Sequence, residues 1–285
     1  MARIQFLEGL SIAGSKDRDN DDAMGATSTI AFVLDGVTSL ADPPLMAGRS
    51  DAAWVAHLAR DLLLKHPPDV ASDIPGFIRR VARDITAQFE AERTRSPAAR
   101  YELPWTTLSL IAVEARRLHI AFVGDSRVLV EAADDSVHNY GISPSRGAAE
   151  TRLAQKMISA GKGMGVDAIR QTVIQDLQRS REMVNTVEGF WLLGADERIG
   201  DHLRMATLEL SGPATVLLAT DGFYAITEDY KHYGDRELIA TSQVVGLQTL
   251  ARELRHIEDN DPEGRRYPRM KKSVDATALL VRVEI

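Results

Sequence analysis

Residues 30–34, Ile-Ala-Phe-Val-Leu, form a short apolar run that stops at Asp35-Gly36, the pattern of a buried strand closed by a turn. A loop with Pro43 and Pro44 follows, and Ser50-Asp51 then offers a helix cap ahead of Trp54, Val55, Leu58 and Leu62 at helical spacing. His66-Pro67-Pro68 ends that helix, because proline cannot continue it. A second helix is predicted after Ser72 or Asp73, with Phe77, Ile78, Val81, Ile85 and Phe89 on one face.

From residue 106 the period changes. Leu108–Val113 and Leu118–Val123 flank the short turn Glu114-Ala115-Arg116-Arg117 and read as a hairpin. Gly124-Asp125-Ser126 comes next, then the apolar run Val128–Val130. Residues 134–148 are polar and read as loop; 149–185 read as helix interrupted at Gly161-Lys162-Gly163-Met164-Gly165. Strands are predicted at Phe190–Leu193, Met205–Leu210, Val216–Ala219 and Leu279–Val283, with a helix over 243–257. Strands come in groups with helices between them, which favours α+β layering over a parallel βαβ sheet. No repeat and no Gly/Ser/Pro-rich linker divides the chain, so one domain over residues 1–285 is expected.

Composition narrows the chemistry. The chain has 285 residues, 44% hydrophobic and 26% charged, enough for a large core. It contains no cysteine, which excludes disulfides, Cys-ligated zinc and a thiolate nucleophile. The net charge of −7 argues against a nucleic-acid partner, since a phosphate backbone requires a basic surface. The first ten residues lack the basic and apolar blocks of a signal peptide, and no window approaches a membrane span, so a cytoplasmic protein with no membrane partner is expected.

Three aspartates share one setting. Asp35, Asp125 and Asp221 each follow the end of an apolar run, and a glycine adjoins each of them. Aspartates just beyond buried strands are held at a sheet rim, where several together repel one another unless a hard cation such as Mg²⁺ or Mn²⁺ neutralises them. Asn20-Asp21-Asp22 and Asp275, just before the last strand, extend the acidic set.

The order of these segments resembles that of the metal-dependent type 2C (PPM) phosphatases. Asn20-Asp21-Asp22 stands where that family has Asn-Glu-Asp, and Phe32-Val33-Leu34-Asp35-Gly36 where it has a strand ending in Asp-Gly. Gly124-Asp125-Ser126-Arg127 matches its Gly-Asp-Ser-Arg, Ala219-Thr220-Asp221-Gly222-Phe223 its Ser/Thr-Asp-Gly segment, and Asp275-Ala276-Thr277 its terminal Asp-Asn-x-Thr. The resemblance runs from residue 14 to the end of the chain. It implies a four-layer αββα sandwich of two antiparallel sheets flanked by helices. It also implies hydrolysis of phosphate monoesters by water activated between two Mg²⁺ or Mn²⁺ ions, with room for a third. By the same resemblance Asp35 bridges two ions and the Gly36 carbonyl binds one of them; Asp221 and Asp275 complete the first site. Asp21 serves the second, Asp22 holds water, and Asp125 with Asp221 takes the third ion.

The departures are informative. The family's Asp-Gly-His-Gly-Gly becomes Asp35-Gly36-Val37-Thr38-Ser39, so the histidine that often protonates the leaving group is missing; His202 is a candidate in its place. The phosphate-binding cation falls to Arg18, four residues before Asp22, with Lys16 as the alternative. Asp21 is one methylene shorter than the usual glutamate, and Ala276 removes an amide that would support a ligand. The glycine-rich 161–165 segment lacks the P-loop spacing and is assigned to the flap that borders the site in this family. Three functions compete: a Ser/Thr phosphoprotein phosphatase, a phosphatase of a phosphorylated small molecule, and a pseudophosphatase or sensor. A monomer or weak dimer is expected.

Overall fold

The computed structural model describes residues 2–65, 70–141, 166–269 and 271–285. His66-Pro67-Pro68 and the glycine-rich segment at 161–165 therefore lie outside the described residues. Two five-stranded antiparallel sheets form the centre. In one, β1 (Arg3–Ile12), β12 (Ala276–Glu284), β11 (Ala214–Ala219), β7 (Arg127–Glu131) and β8 (Val137–Tyr140) lie side by side in that order. In the other the order is β10 (Arg204–Glu209), β6 (Arg117–Val123), β5 (Leu108–Glu114), β3 (Ile30–Asp35) and β2 (Asp22–Ala26). A third, two-stranded ribbon joins β4 (Trp105–Thr106) to β9 (Leu193–Gly194).

Strand alternation distributes the core among layers. In β3, Ala31 and Val33 pack between the two sheets with Ile111 and Ile120 of one sheet and Val128, Val216 and Val281 of the other. Ile30, Phe32 and Leu34 face the opposite way, onto α1 (Asp51–Lys65) and α2 (Ile74–Glu92), where they meet Val55, Ala59, Phe77, Val81 and Ile85. The other sheet does the same on its outer side. Leu129, Leu217 and Leu280 pack against Phe223, Leu238, Leu250 and Leu254. Those residues belong to α4 (Asp221–Glu228), α5 (Asp235–Val245) and α6 (Leu247–Asp259). The layering is the αββα sandwich. A further helix, α3 (Val166–Glu182), ends against the loop after β3, where Arg181 donates to the Thr38 carbonyl at 2.8 Å.

Several elements differ from the sequence reading for identifiable reasons. The helix predicted over 243–257 is two helices, because Gly246 takes a positive φ of 82° and breaks the run. The strand predicted at 190–193 shrinks to the Leu193–Gly194 pairing. Residues 137–140, read as loop, form an edge strand against β7. Strand β1 escaped because a register shift between Phe6 and Glu8 breaks the alternation that reveals strands. Helix α4 escaped because Gly222 to Ile226 are all buried, which leaves no polar face to give a helical period. No helix among the described residues is long and apolar enough to cross a membrane.

Candidate metal centre

The acidic residues converge through strand pairing. Asp22 opens β2 and Asp35 closes β3, and the two are direct partners in the ladder, so both stand at the same rim. Gly36 continues past the rim and bridges to Thr106; its amide donates to the Asp21 carbonyl at 3.0 Å. A side chain at Gly36 would run into the carbonyls of Asp21 and Ala52, so the close approach requires glycine. Asp125 sits in the turn between β6 and β7. Asp221 is the first residue of α4, directly after β11 and Thr220. Gly222 lets that helix abut the Asp275 backbone, where a Cβ would collide with the Asp275 carbonyl.

Asp35, Asp125 and Asp221 each offer a carboxylate oxygen, and these oxygens lie within 4.8 Å of one another. Asp35 and Asp125 are half-buried and Asp221 is exposed to the cleft. Asp21 and Asp275 line the same cleft, a cavity of about 320 Å³ whose walls also include Gly36, Val37, Thr38 and Lys271. Both Asp275 oxygens accept backbone amides, Gly14 at 2.7 Å and Asp21 at 2.8 Å, which draws the N-terminal loop onto the rim. Each oxygen keeps a further lone pair. Asp21 accepts a short hydrogen bond from Ser50.

The electrostatics are those of an uncompensated anion cluster. Burial pushes the Asp35 carboxyl well above the usual carboxylate range, and the charges of Asp221, Asp22 and Asp125 push it further. Burial, followed by repulsion from Asp275 and Asp221, raises Asp22 to about 8 despite a 2.8 Å hydrogen bond from Thr220. Asp21 is raised as well, chiefly by burial. Divalent cations with oxygen ligands fit this donor set, because carboxylates that resist ionisation together are stabilised by positive charge placed among them. Asp22 has a measurable consequence. The folded chain keeps its proton up to about pH 8, whereas the unfolded chain loses it near 3.8. This contribution to stability is full below the unfolded value and is lost as pH rises through the folded one. In a chelator the thermal midpoint is therefore expected to fall as pH rises from about 4 to about 8. Saturating Mn²⁺ is expected to flatten that slope; a midpoint that rises with pH in chelator would show the cluster is not under this strain.

Not every predicted residue joins the centre. The Asp22 backbone stands at the rim beside Asp35, but its side chain is only 2% exposed, is bonded to Thr220 behind the rim and does not line the cleft. Lys16 and Arg18 are exposed and do not line the cleft. His202 stacks on Trp191 with ring centroids 3.5 Å apart, away from the cleft lining. Val37 lines the cleft on one side and packs toward Trp105, Val184 and Leu192 on the other. Sequence reasoning missed the hydroxyl chain beneath the rim. Thr107 accepts from the Asp35 amide at 3.1 Å and is bonded to Ser126 at 2.9 Å, tying Asp35 to the residue after Asp125. Thr220, which accepts the Thr277 amide at 3.0 Å and donates to Asp22, does the same for the β11 and β12 ends. These residues carry no periodic signal; only the paired strand ends show what they do.

Two packed antiparallel sheets flanked by helices, with an acidic rim that suits divalent cations, define the class of the molecule. The family follows from the sequence itself. The model described as protein phosphatase 2C matches residues 14–257, and the chain belongs to that family. No curated protein matches the chain. Solved structures with the same fold include the serine/threonine phosphatase PstP/Ppp of Mycobacterium tuberculosis, at 16% identity and a TM-score of 0.58, covering 100% of this chain and 99% of that one. A catalytic-domain structure of PstP in complex with two manganese ions matches with the same identity and TM-score over 100% of both chains. Stp1 of Staphylococcus aureus matches at 16% identity and a TM-score of 0.53, over 100% of this chain and 96% of the other.

Proposed function

We propose that the chain dephosphorylates serine and threonine residues of phosphoproteins at a binuclear Mg²⁺ or Mn²⁺ centre. The observation that carries this reading is the convergence of Asp35, Asp125 and Asp221 at the floor of an open cleft, in a chain of the protein phosphatase 2C family. Asp35 and the Gly36 carbonyl would hold the first ions with Asp221, Asp275 and Asp21, and Asp125 with Asp221 a third. When bound, such ions supply Lewis-acid stabilisation of the phosphoryl oxygens and lower the pKa of water at the site. The chain's own contribution is to fix those carboxylates before substrate arrives. The Asp22–Asp35 strand pairing and the Thr107 and Thr220 hydroxyls keep the rim from moving as charge changes within it. Asp22, buried behind the rim, supports it rather than meeting substrate. A PstP structure holds two manganese ions, which supports a two-ion centre here.

The test is steady-state hydrolysis of phosphoserine and phosphothreonine peptides, p-nitrophenyl phosphate and small sugar phosphates, each with Mn²⁺, with Mg²⁺ and with chelator. Turnover is expected to require the divalent ion and to show its highest kcat/KM on the peptides. A preference for the sugar phosphates would assign the site to a small-molecule substrate, and metal-independent turnover would remove the proposed centre.

A further inference from the structure

The phosphoryl group needs a cation beyond any metal, and the cleft wall shows which side chain can supply it. Among the described residues three basic side chains line the cleft: Arg181, Arg269 and Lys271. Arg269 is committed elsewhere. Its Nε donates to the Lys272 carbonyl, Nη1 to Asp261 and the Tyr267 carbonyl, and Nη2 to the carbonyls of Glu258 and Asp261. That uses all five guanidinium N–H groups and makes Arg269 the staple of the 261–272 loop. Arg181 reaches in from the end of α3 and donates to the Thr38 carbonyl at 2.8 Å. Lys271 comes from the loop before β12, four residues before Asp275, and donates to the Thr38 hydroxyl at 2.9 Å. One of its three N–H groups is thereby used, and no carboxylate forms an ion pair with the ammonium among the described residues. Its charge reaches the rim, since it acts on the Asp21 carboxyl.

We infer that Lys271, oriented by Thr38, is the residue that binds the non-bridging phosphoryl oxygens of the substrate. Thr38 is the fourth residue of the Asp-Gly-Val-Thr-Ser segment that begins with Asp35, so the ammonium is tethered beside the acidic rim. A lysine binds phosphate as a point charge and needs no planar geometry, which suits a side chain held by a single hydroxyl. The exposed Lys16 and Arg18 have no comparable place in the cleft. The inference rests on the phosphatase reading of the site and assigns its substrate-binding cation.

The experiment compares the parent with Lys271→Ala, Lys271→Arg and Lys272→Ala, the last removing one charge from the same loop at a residue paired with Asp259. Two readouts are taken with saturating Mn²⁺: KM and kcat for p-nitrophenyl phosphate, and the rise in thermal midpoint produced by inorganic phosphate. Lys271→Ala is expected to raise KM by about 10-fold or more and to reduce the phosphate-induced rise clearly below that of the parent. Lys271→Arg is expected to recover most of both, and Lys272→Ala to match the parent. A Lys271→Ala protein that keeps the parent KM and phosphate shift overturns the inference, as does a Lys272→Ala protein with the same defect. If Lys271→Ala shows no turnover, the thermal readout decides: a phosphate shift equal to the parent's overturns the inference and a smaller one supports it. A parent with neither metal-dependent turnover nor a phosphate shift refutes the phosphatase reading itself, which is a separate outcome.

Discussion

Replacing Asp35 with asparagine is expected to lower Mn²⁺-dependent hydrolysis of p-nitrophenyl phosphate by more than ~100-fold and, in chelator above neutral pH, to raise the thermal midpoint. Both results come from one cause. Asp35 stands amid Asp221, Asp22 and Asp125, and burial, reinforced by their charges, holds its carboxyl well above the ordinary range. Without a cation the ionised group is a cost to the folded state, and an uncharged amide of the same shape removes it. In the proposed centre the same carboxylate would serve as a metal ligand, a role for which the amide is a poor substitute. Asp221→Asn is expected to lose activity in the same way. Calorimetric titration with Mn²⁺, beside the activity assay and thermal unfolding in chelator, checks the pair of effects. An Asp35→Asn protein that stays active, or one that is less stable than the parent in chelator at high pH, would contradict the reading of the rim.

Such opposition between stability and function is characteristic of a site whose charges are arranged for a ligand. It also explains which parts of the centre could be read from the chain. Asp35, Asp125 and Asp221 were legible because each ends an apolar run beside a glycine, and a local pattern suffices to put a carboxylate at a rim. The central strands β3, β5, β6, β7 and β11 were legible for the same reason, being nearly continuous apolar runs. Strands β1 and β2 are edge strands, one bulged and the other built of small residues, and their pairing is decided by partners remote in sequence. Thr107 and Lys271 belong with those. A threonine or lysine in isolation predicts nothing, and its role appears only when two strand ends or two loop walls are brought together. His202 shows the converse. It was the candidate to replace the missing histidine, but its ring stacks on Trp191 of the preceding segment instead.

Arg127 shows how one residue of a recognised motif can act at a distance from the chemistry. It ends the Gly-Asp-Ser-Arg segment, two residues after Asp125, and its Nη2 donates to both Glu228 oxygens at 3.0 Å. Glu228 is the last residue of α4, the helix that begins with Asp221. The pair therefore joins β7 to the far end of the helix that carries a cluster carboxylate. Arg127 also lies over the Tyr224 ring, 5.2 Å from its centroid. The arginine side chain is 8% exposed and the glutamate 27%, so removal of the arginine leaves a largely desolvated carboxylate. Arg127→Ala is expected to cost ~3 kcal/mol in denaturant unfolding, at the low end for a buried pair because Glu228 keeps some water contact. Replacing both partners, as Arg127→Met with Glu228→Leu, is expected to recover most of that loss, because the charge left behind by the single change is gone. If the clamp orients Asp221, the double variant regains stability while its Mn²⁺ affinity stays below that of the parent. Full recovery of both would reduce the pair to packing, and an Arg127→Ala protein as stable as the parent would show that α4 is held by its buried apolar face alone.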